Sequence, residues 1–212
     1  MAAADRGAQV QCHMLQLQAE DLRGAVRRGM ESNLIVFVVD SSGSMAGRDR
    51  LSAVTGAVGS LLRDAYQRRD KVAVISVRGK HPDLVLPPTG SIDVASRRLA
   101  HTPTGGRTPL GEGLIMAHKL CEREHRKDPT RRPLLVILSD GRATGRGGVQ
   151  GMRMAARQIA RRGLAASVVI DCERSGRVRL GLARELATEL GGACVRLDEM
   201  SAQAIQGVIH AQ

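Results

Sequence analysis

Three short stretches of this 212-residue chain place oxygen-bearing side chains where an apolar run or a loop ends. DSSGSM carries Asp40, Ser42 and Ser44 at alternate positions, directly after the apolar run Leu34 to Val39. LSDGRA puts Asp140 directly after a second apolar run, and PTGGRTPL offers Thr108 just before a helical pattern. Two carboxylates and three hydroxyls converging on one edge would make a site for a hard cation. Mg²⁺ takes oxygen ligands at about 2.0–2.1 Å in near-octahedral geometry and retains some water; Mn²⁺ is the alternative. Hydroxyls coordinate weakly because they are neutral, and two carboxylates roughly balance the charge of the ion. If the carboxylates act through water, the ion stays electrophilic and can take an acidic oxygen from another molecule. DSSGSM alone would also suit an ordinary turn with an N-cap serine. The three stretches in this order make that the weaker reading.

Other chemistries fail on spacing. The phosphate-cradling pattern GxxxxGK[ST] is absent, so ATP hydrolysis is not expected of this chain. No glycine stands two before Ser42 or Ser44, which excludes a GxSxG nucleophile elbow. TGRGGVQ begins like GxGxxG, but Gln150 occupies the last glycine position. His101 precedes TPTGG, and nothing in the sequence marks it as a catalytic base. The four cysteines, Cys12, Cys121, Cys172 and Cys194, form no CxxC pair, which argues against a zinc site.

The elements that must position these residues alternate. LIVFVV (34–39), KVAVISV (71–77), PLLVILS (133–139), LAASVVID (164–171) and ACVRL (193–197) read as strands. Helical spacing predicts helices over 48–70, 91–102, 108–127, 149–162 and 178–192, and a last helix over SAQAIQGVIHA. Strands that are apolar throughout, separated by helices, predict a parallel sheet covered on both faces. GKHP reads as a turn, and DLVLPP as a short strand that stops at two prolines. That strand would be the antiparallel edge, where proline is tolerated. The expectation is one doubly wound α/β domain with a mostly parallel six-stranded sheet, over 32–212. Residues 1–31 are polar and weakly periodic and read as an N-terminal extension or linker. GRATGRGG reads as a mobile loop.

In an open parallel sheet, ligands bind beyond the carboxyl ends of the strands, where strand order reverses. The first strand usually flanks that point, which would put Asp40, Ser42 and Ser44 there.

Composition narrows the partners. The net charge is +11, from 32 Lys+Arg against 21 Asp+Glu. The basic residues are scattered, as on solvated helix faces, rather than gathered into a binding arm. Phe37 and Tyr66 are the only aromatic residues, and there is no Trp. That leaves few stacking platforms for single-stranded nucleic acid, which is not the expected partner. No apolar run approaches the roughly 20 residues of a membrane helix, and no signal-peptide core is visible. A cytoplasmic setting is expected.

At these residues the sequence resembles a von Willebrand factor A (integrin I-like) domain. The metal-ion-dependent adhesion site of that family reads DxSxS, then Thr, then Asp. It matches Asp40, Ser42 and Ser44, then Thr108, then Asp140. The resemblance implies that the serines and the threonine hold Mg²⁺ directly or nearly so, while the aspartates act largely through water. LIVFVVDSSGSM, LLRDAYQRRDKVAVISVRG, LVLPPTGS, PTGGRTPLGEGL and LSDGRAT narrow the likeness further. They resemble the C-terminal domain of the magnesium chelatase D subunit and its cobalt chelatase relatives, over about residues 20 to 210. That likeness implies a non-catalytic subunit in chlorophyll- or cobalamin-type biosynthesis. It would join an AAA+ ATPase chelatase subunit to the large tetrapyrrole-binding subunit and dock onto an acidic residue through the metal. The alternative is a stand-alone module paired with a MoxR-type AAA+ ATPase. The familiar FRG after the second strand is VRG here, with Val77 read as a neutral core change.

Overall fold

The computed structural model describes residues 33–42, 59, 63, 65–91, 94, 97–98, 105–173 and 180–197. All of them belong to one of the two compact units of the chain, Glu31–Gln212. Ser44 and the predicted helix near the C-terminus lie outside the described residues.

The strands are β1 (Leu34–Asp40), β2 (Lys71–Arg78), β3 (His81–Thr89), β4 (Pro133–Ser139), β5 (Ala166–Asp171) and β6 (Ala193–Arg196). The helices with defined bounds are α1 (Leu110–Lys127), α2 (Gly148–Arg162) and α3 (Leu182–Leu190). Residues 59, 63, 65–67, 94 and 97–98 are also helical. One six-stranded sheet runs in the order β3-β2-β1-β4-β5-β6. Only β2 and β3 pair antiparallel; every other pair is parallel. Strand order therefore reverses between β1 and β4, which is where this architecture opens a crevice at the carboxyl ends.

The pleat of β1 divides the core in two. Leu34, Val36 and Val38 pack with Ala73, Ile75, Leu135 and Ile137 against α1, α2 and α3. Ile35, Phe37 and Val39 join Val74, Val136 and Val168 on the other face, where Ala65 and Val94 from helical stretches cover them. With apolar partners on both faces, β1 and β4 are buried along their whole length. That is why they read as continuous apolar runs.

Several boundaries shift by a residue or two, such as the start of β5 at Ala166 instead of 164, and two differ for a tertiary reason. β3 begins at His81 and runs through Pro87 and Pro88 to Thr89 instead of stopping at the prolines. Between Val72↔Thr89 and Val74↔Leu86, β3 has one residue more than β2. The prolines fall in that bulge on an edge strand, where their missing N–H groups cost no ladder bond. The helix expected over 178–192 begins only at Leu182. The Glu173 carboxylate takes the N–H groups of Leu180 (2.8 Å) and Gly181 (3.2 Å), and Gly181 is left-handed, so the chain enters the helix late.

α1 reaches the sheet through a glycine. A Cβ on Gly113 would overlap the Cγ1 of the fully buried Val77. Val77 is thus a fitted neighbour of α1, and a larger side chain there would push the helix and Thr108 outward. Gly113→Ala should destabilise the fold by about 1–3 kcal/mol through overpacking. In urea unfolding, Gly113→Ala with Val77→Ala should lose less stability than the two single changes added together. Strict additivity would show that the helix and strand do not press on each other here.

Candidate metal centre

Asp40 is the last residue of β1, and the register pairs Val39 with Leu138, so Asp40 lies level with Ser139 at the end of β4. Both point to the α1 side of the sheet, since they continue the alternation of Val38 and Ile137. The Ser139 hydroxyl donates to Asp40 Oδ2 (3.1 Å), and the Ser42 N–H donates to Oδ1 (2.9 Å). Ser139 Oγ also accepts the Gly141 N–H (3.0 Å). One serine thereby fixes the Asp40 carboxylate and the turn that follows Asp140.

That turn is forced. Gly141 has φ 78°, and a Cβ there would overlap the Leu182–Ala183 backbone at the start of α3. Only glycine combines the left-handed conformation with that close approach. Asp140 accepts the Arg142 N–H at Oδ1 (3.0 Å), and Arg142 Nε lies 3.6 Å from Oδ2.

The Thr108 segment is held from both sides. The Gly105 N–H donates to the Ser41 carbonyl (2.7 Å), which ties the segment to the end of β1. The Thr108 carbonyl accepts the N–H groups of Thr144 and Gly145 (3.0 Å each), and the Thr108 N–H donates to Thr144 Oγ1 (2.8 Å). The Arg146 N–H donates to Glu112 Oε1 in the first turn of α1 (3.0 Å). The stretch expected as a mobile loop, GRATGRGG, is therefore strapped across the start of α1. Ser139, Thr144 and Glu112 carry no metal-site spacing, and sequence reasoning passed over them. The parity of Ser139 with Ile137, on the pleat face of Asp40, was the one available signal.

Asp40, Ser42, Thr108 and Asp140 thus stand on three adjoining segments at the switch point between β1 and β4. All four are buried. Burial pushes the Asp40 carboxyl up to about 6, with a further push from the charge of Asp140 and opposing pulls from its bonds to Ser42 and Ser139. No cationic side chain among the described residues pairs with Asp40. No group of three or more His, Cys, Asp and Glu side chains is assembled among them either. The donors gathered here are carboxylate and hydroxyl oxygens, which suit a hard cation and not a soft one. A buried carboxylate without a counter-charge is a group that such an ion would relieve. The residues therefore fit Mg²⁺ or Mn²⁺. Among the described residues no helix is long and apolar enough to cross a membrane.

Comparison with known proteins agrees with this fold. The von Willebrand factor type A domain family matches residues 35–142. An uncharacterised protein of Mycobacterium tuberculosis is 55% identical over 194 residues, covering 89% of this chain and 30% of that protein. An uncharacterised protein of Methanocaldococcus jannaschii is 33% identical over 164 residues, 76% of this chain and 94% of that protein. The magnesium-chelatase 67 kDa subunit of Chlorobaculum tepidum is 34% identical over 201 residues, 88% of this chain and 32% of that subunit. The chain thus spans about a third of the mycobacterial protein and of the chelatase subunit, and nearly all of the archaeal protein. Among solved structures, BatB of Bacteroides thetaiotaomicron superposes with a TM-score of 0.65 at 21% identity, covering 85% of this chain and 98% of BatB. A von Willebrand factor type A protein of Catenulispora acidiphila gives 0.63 at 19% identity, covering 82% of this chain and 40% of that one. At such identities these two structures speak to the fold alone.

The raised Asp40 carboxyl makes stability depend on pH in a defined direction. The folded chain holds that proton more tightly than the unfolded chain, whose ordinary value is 3.8. Without divalent cations, stability should therefore fall as pH rises from about 4 to about 6 and then level off, a change of up to about 3 kcal/mol. Asp40→Asn, which can keep both hydrogen bonds, should flatten this slope and melt higher than wild type at pH 7 in EDTA. Matching pH profiles for the two proteins would show that Asp40 is not the strained group.

Proposed function

The chain belongs to the von Willebrand factor type A domain family, and from that premise we propose that it is a Mg²⁺-dependent protein-docking domain. The observation that carries this reading is the buried, uncompensated Asp40 carboxylate at the switch point, beside Asp140 and the hydroxyl-bearing Ser42 and Thr108. Ser42, Ser44 and Thr108 would hold the ion through their hydroxyls, and Asp40 and Asp140 would act largely through water. Bound there, the ion supplies an electrophilic position for a carboxylate of another protein. The chain's own part is to keep the site rigid. Ser139 orients Asp40, Gly141 turns the backbone under Asp140, and the 144–146 strap holds Thr108 against the end of β1.

The partner proposed first is that of a chelatase D-type subunit. In that role the domain joins an AAA+ ATPase subunit to the large tetrapyrrole-binding subunit in the cytoplasm, and does not itself hydrolyse ATP. Identities of 34–40% to magnesium-chelatase subunits of three organisms support it. The second reading is a stand-alone module served by a MoxR-type AAA+ ATPase. The archaeal relative favours it, because this domain alone accounts for 94% of that protein. Co-purification with candidate motors separates the two readings.

Titration calorimetry should show Mg²⁺ and Mn²⁺ binding to wild type. Asp40→Ala and Asp140→Ala should weaken it by about 10–100-fold, as removal of groups that orient a metal shell does. Capture of the partner should fail in EDTA and return with added Mg²⁺. Partner capture unchanged by EDTA, or unchanged in Asp40→Ala, would move the docking point away from this site.

A further inference from the structure

The candidate centre sits inside a rim of basic side chains. Arg78 closes β2, and Lys80 stands in the two-residue turn into β3. That turn touches the Thr108 segment, since a Cβ on Gly106 would lie 3.2 Å from the Gly79 backbone. Arg107 follows Gly106 directly. Arg146 stands on the strap bonded to Thr108 and Glu112, and Arg142 follows Asp140. Lys80, Arg107, Arg142 and Arg146 are exposed, and Arg78 is half-buried. Among the described residues, only Arg142 of these five has an acidic partner.

The acidic groups nearby do not cancel this charge. Asp40 and Asp140 together balance one divalent ion. Glu112 accepts the Arg146 backbone N–H, Asp171 that of Glu173, and Glu173 those of Leu180 and Gly181. Among the described residues near the rim, Asp83 is the remaining exposed carboxylate, two residues into β3. The opposite edge of the sheet is arranged differently. There Lys71, Arg123 and Lys127 share the buried Glu124, and Arg131 pairs with Asp128.

Resting on the docking reading above, we propose that the partner segment is a polyacidic stretch of protein. One of its carboxylates goes to the metal position, and its neighbours are received by Lys80, Arg107 and Arg146. A single aspartate or glutamate would satisfy the centre and leave the rim unused. Several acidic residues in sequence match both. Nucleic acid suits the site less well. Phe37 is buried in mid-strand, and Tyr66 lies before β2 at the opposite end of the sheet, so no aromatic described residue stacks near the rim. The cations ring one point instead of following a phosphate track.

The test uses two fluorescent peptides of equal length, one with four consecutive glutamates and one with a single glutamate among glutamines. Anisotropy is read in Mg²⁺ at low and high salt. Wild type should bind the tetra-acidic peptide at least tenfold more tightly at low salt. That preference should shrink in salt, which screens exposed charges. Each of Lys80→Gln, Arg107→Gln and Arg146→Gln should cost roughly two- to fivefold on the tetra-acidic peptide and leave the single-glutamate peptide unchanged. Arg132→Gln, exposed at the opposite edge, should change neither. If the rim variants retain the full preference, the polyacidic assignment is overturned while metal docking stands. If both peptides bind equally well in EDTA, the docking reading itself fails. A single-stranded oligonucleotide that displaces the tetra-acidic peptide at lower concentration than the free peptide does would also overturn the assignment, in favour of nucleic acid.

Discussion

A carboxylate held at the end of one of the two strands buried along their whole length is the constraint on which the rest of the structure depends. β1 has neighbours on both sides and apolar layers on both faces, so Asp40 leaves the core with little water to solvate it. Burial of a charge is costly unless it is hydrogen-bonded and paired. Ser42 and Ser139 supply the hydrogen bonds, yet the carboxyl stays raised to about 6. Asp140 adds a second negative charge where a stabilising arrangement would have placed an arginine. The unfavourable burial is concentrated at the end of β1, and it is this concentration that supports the docking reading proposed above.

The surrounding packing serves that arrangement. Thr108 reaches the edge only because α1 lies close to the sheet, and α1 lies close only because Gly113 presents no side chain to Val77. Asp140 faces the same crevice because Gly141 turns in a conformation, and at a distance from α3, that no other residue tolerates. The 144–146 strap then closes the loop of dependence. It is bonded to Thr108 on one side and to Glu112 on the other, so β4 and α1 cannot move apart without breaking it. The site is held through these backbone bonds.

Much of this was legible in the sequence, for physical reasons. A strand buried on both faces has to be apolar at every position, so β1 and β4 announced themselves and fixed where their terminal aspartates would stand. Local pattern was a poorer guide wherever a tertiary partner decided the outcome. Pro87 and Pro88 read as a stop, but the bulge against β2 absorbs them. The start of α3 read four residues early, because the Glu173 carboxylate that holds Leu180 and Gly181 back lies outside any helical window. GRATGRGG read as mobile because glycine-rich composition says nothing about bonds to Thr108 and Glu112. Ser139 was hidden for the opposite reason: it completes an apolar strand, and only its register with Asp40 gives it a role.

The two edges of the sheet solve the same electrostatic problem in opposite ways. At the amino edge Glu124 is buried as deeply as Asp140, and burial by itself would raise its carboxyl. The bond from Lys127, reinforced by the charges of Lys71 and Arg123, outweighs that and holds it below the ordinary value. Asp70, also buried, takes the Asn33 N–H at 2.6 Å. Glu124 is thus met from within the chain, whereas burial keeps the Asp70 carboxyl raised despite that bond and the charge of Arg68. At the carboxyl edge Arg142 pairs with Asp140, but Arg78, Lys80, Arg107 and Arg146 pair with no acid among the described residues, and no cation pairs with Asp40. Apart from the Arg142–Asp140 contact (3.6 Å), charges of both signs stand unpaired there among the described residues. Of the rim arginines only Arg142 reaches inward. Under the docking reading proposed above, a metal ion would meet the carboxylates in the crevice and an acidic segment would meet the rim, so one partner would answer both charges.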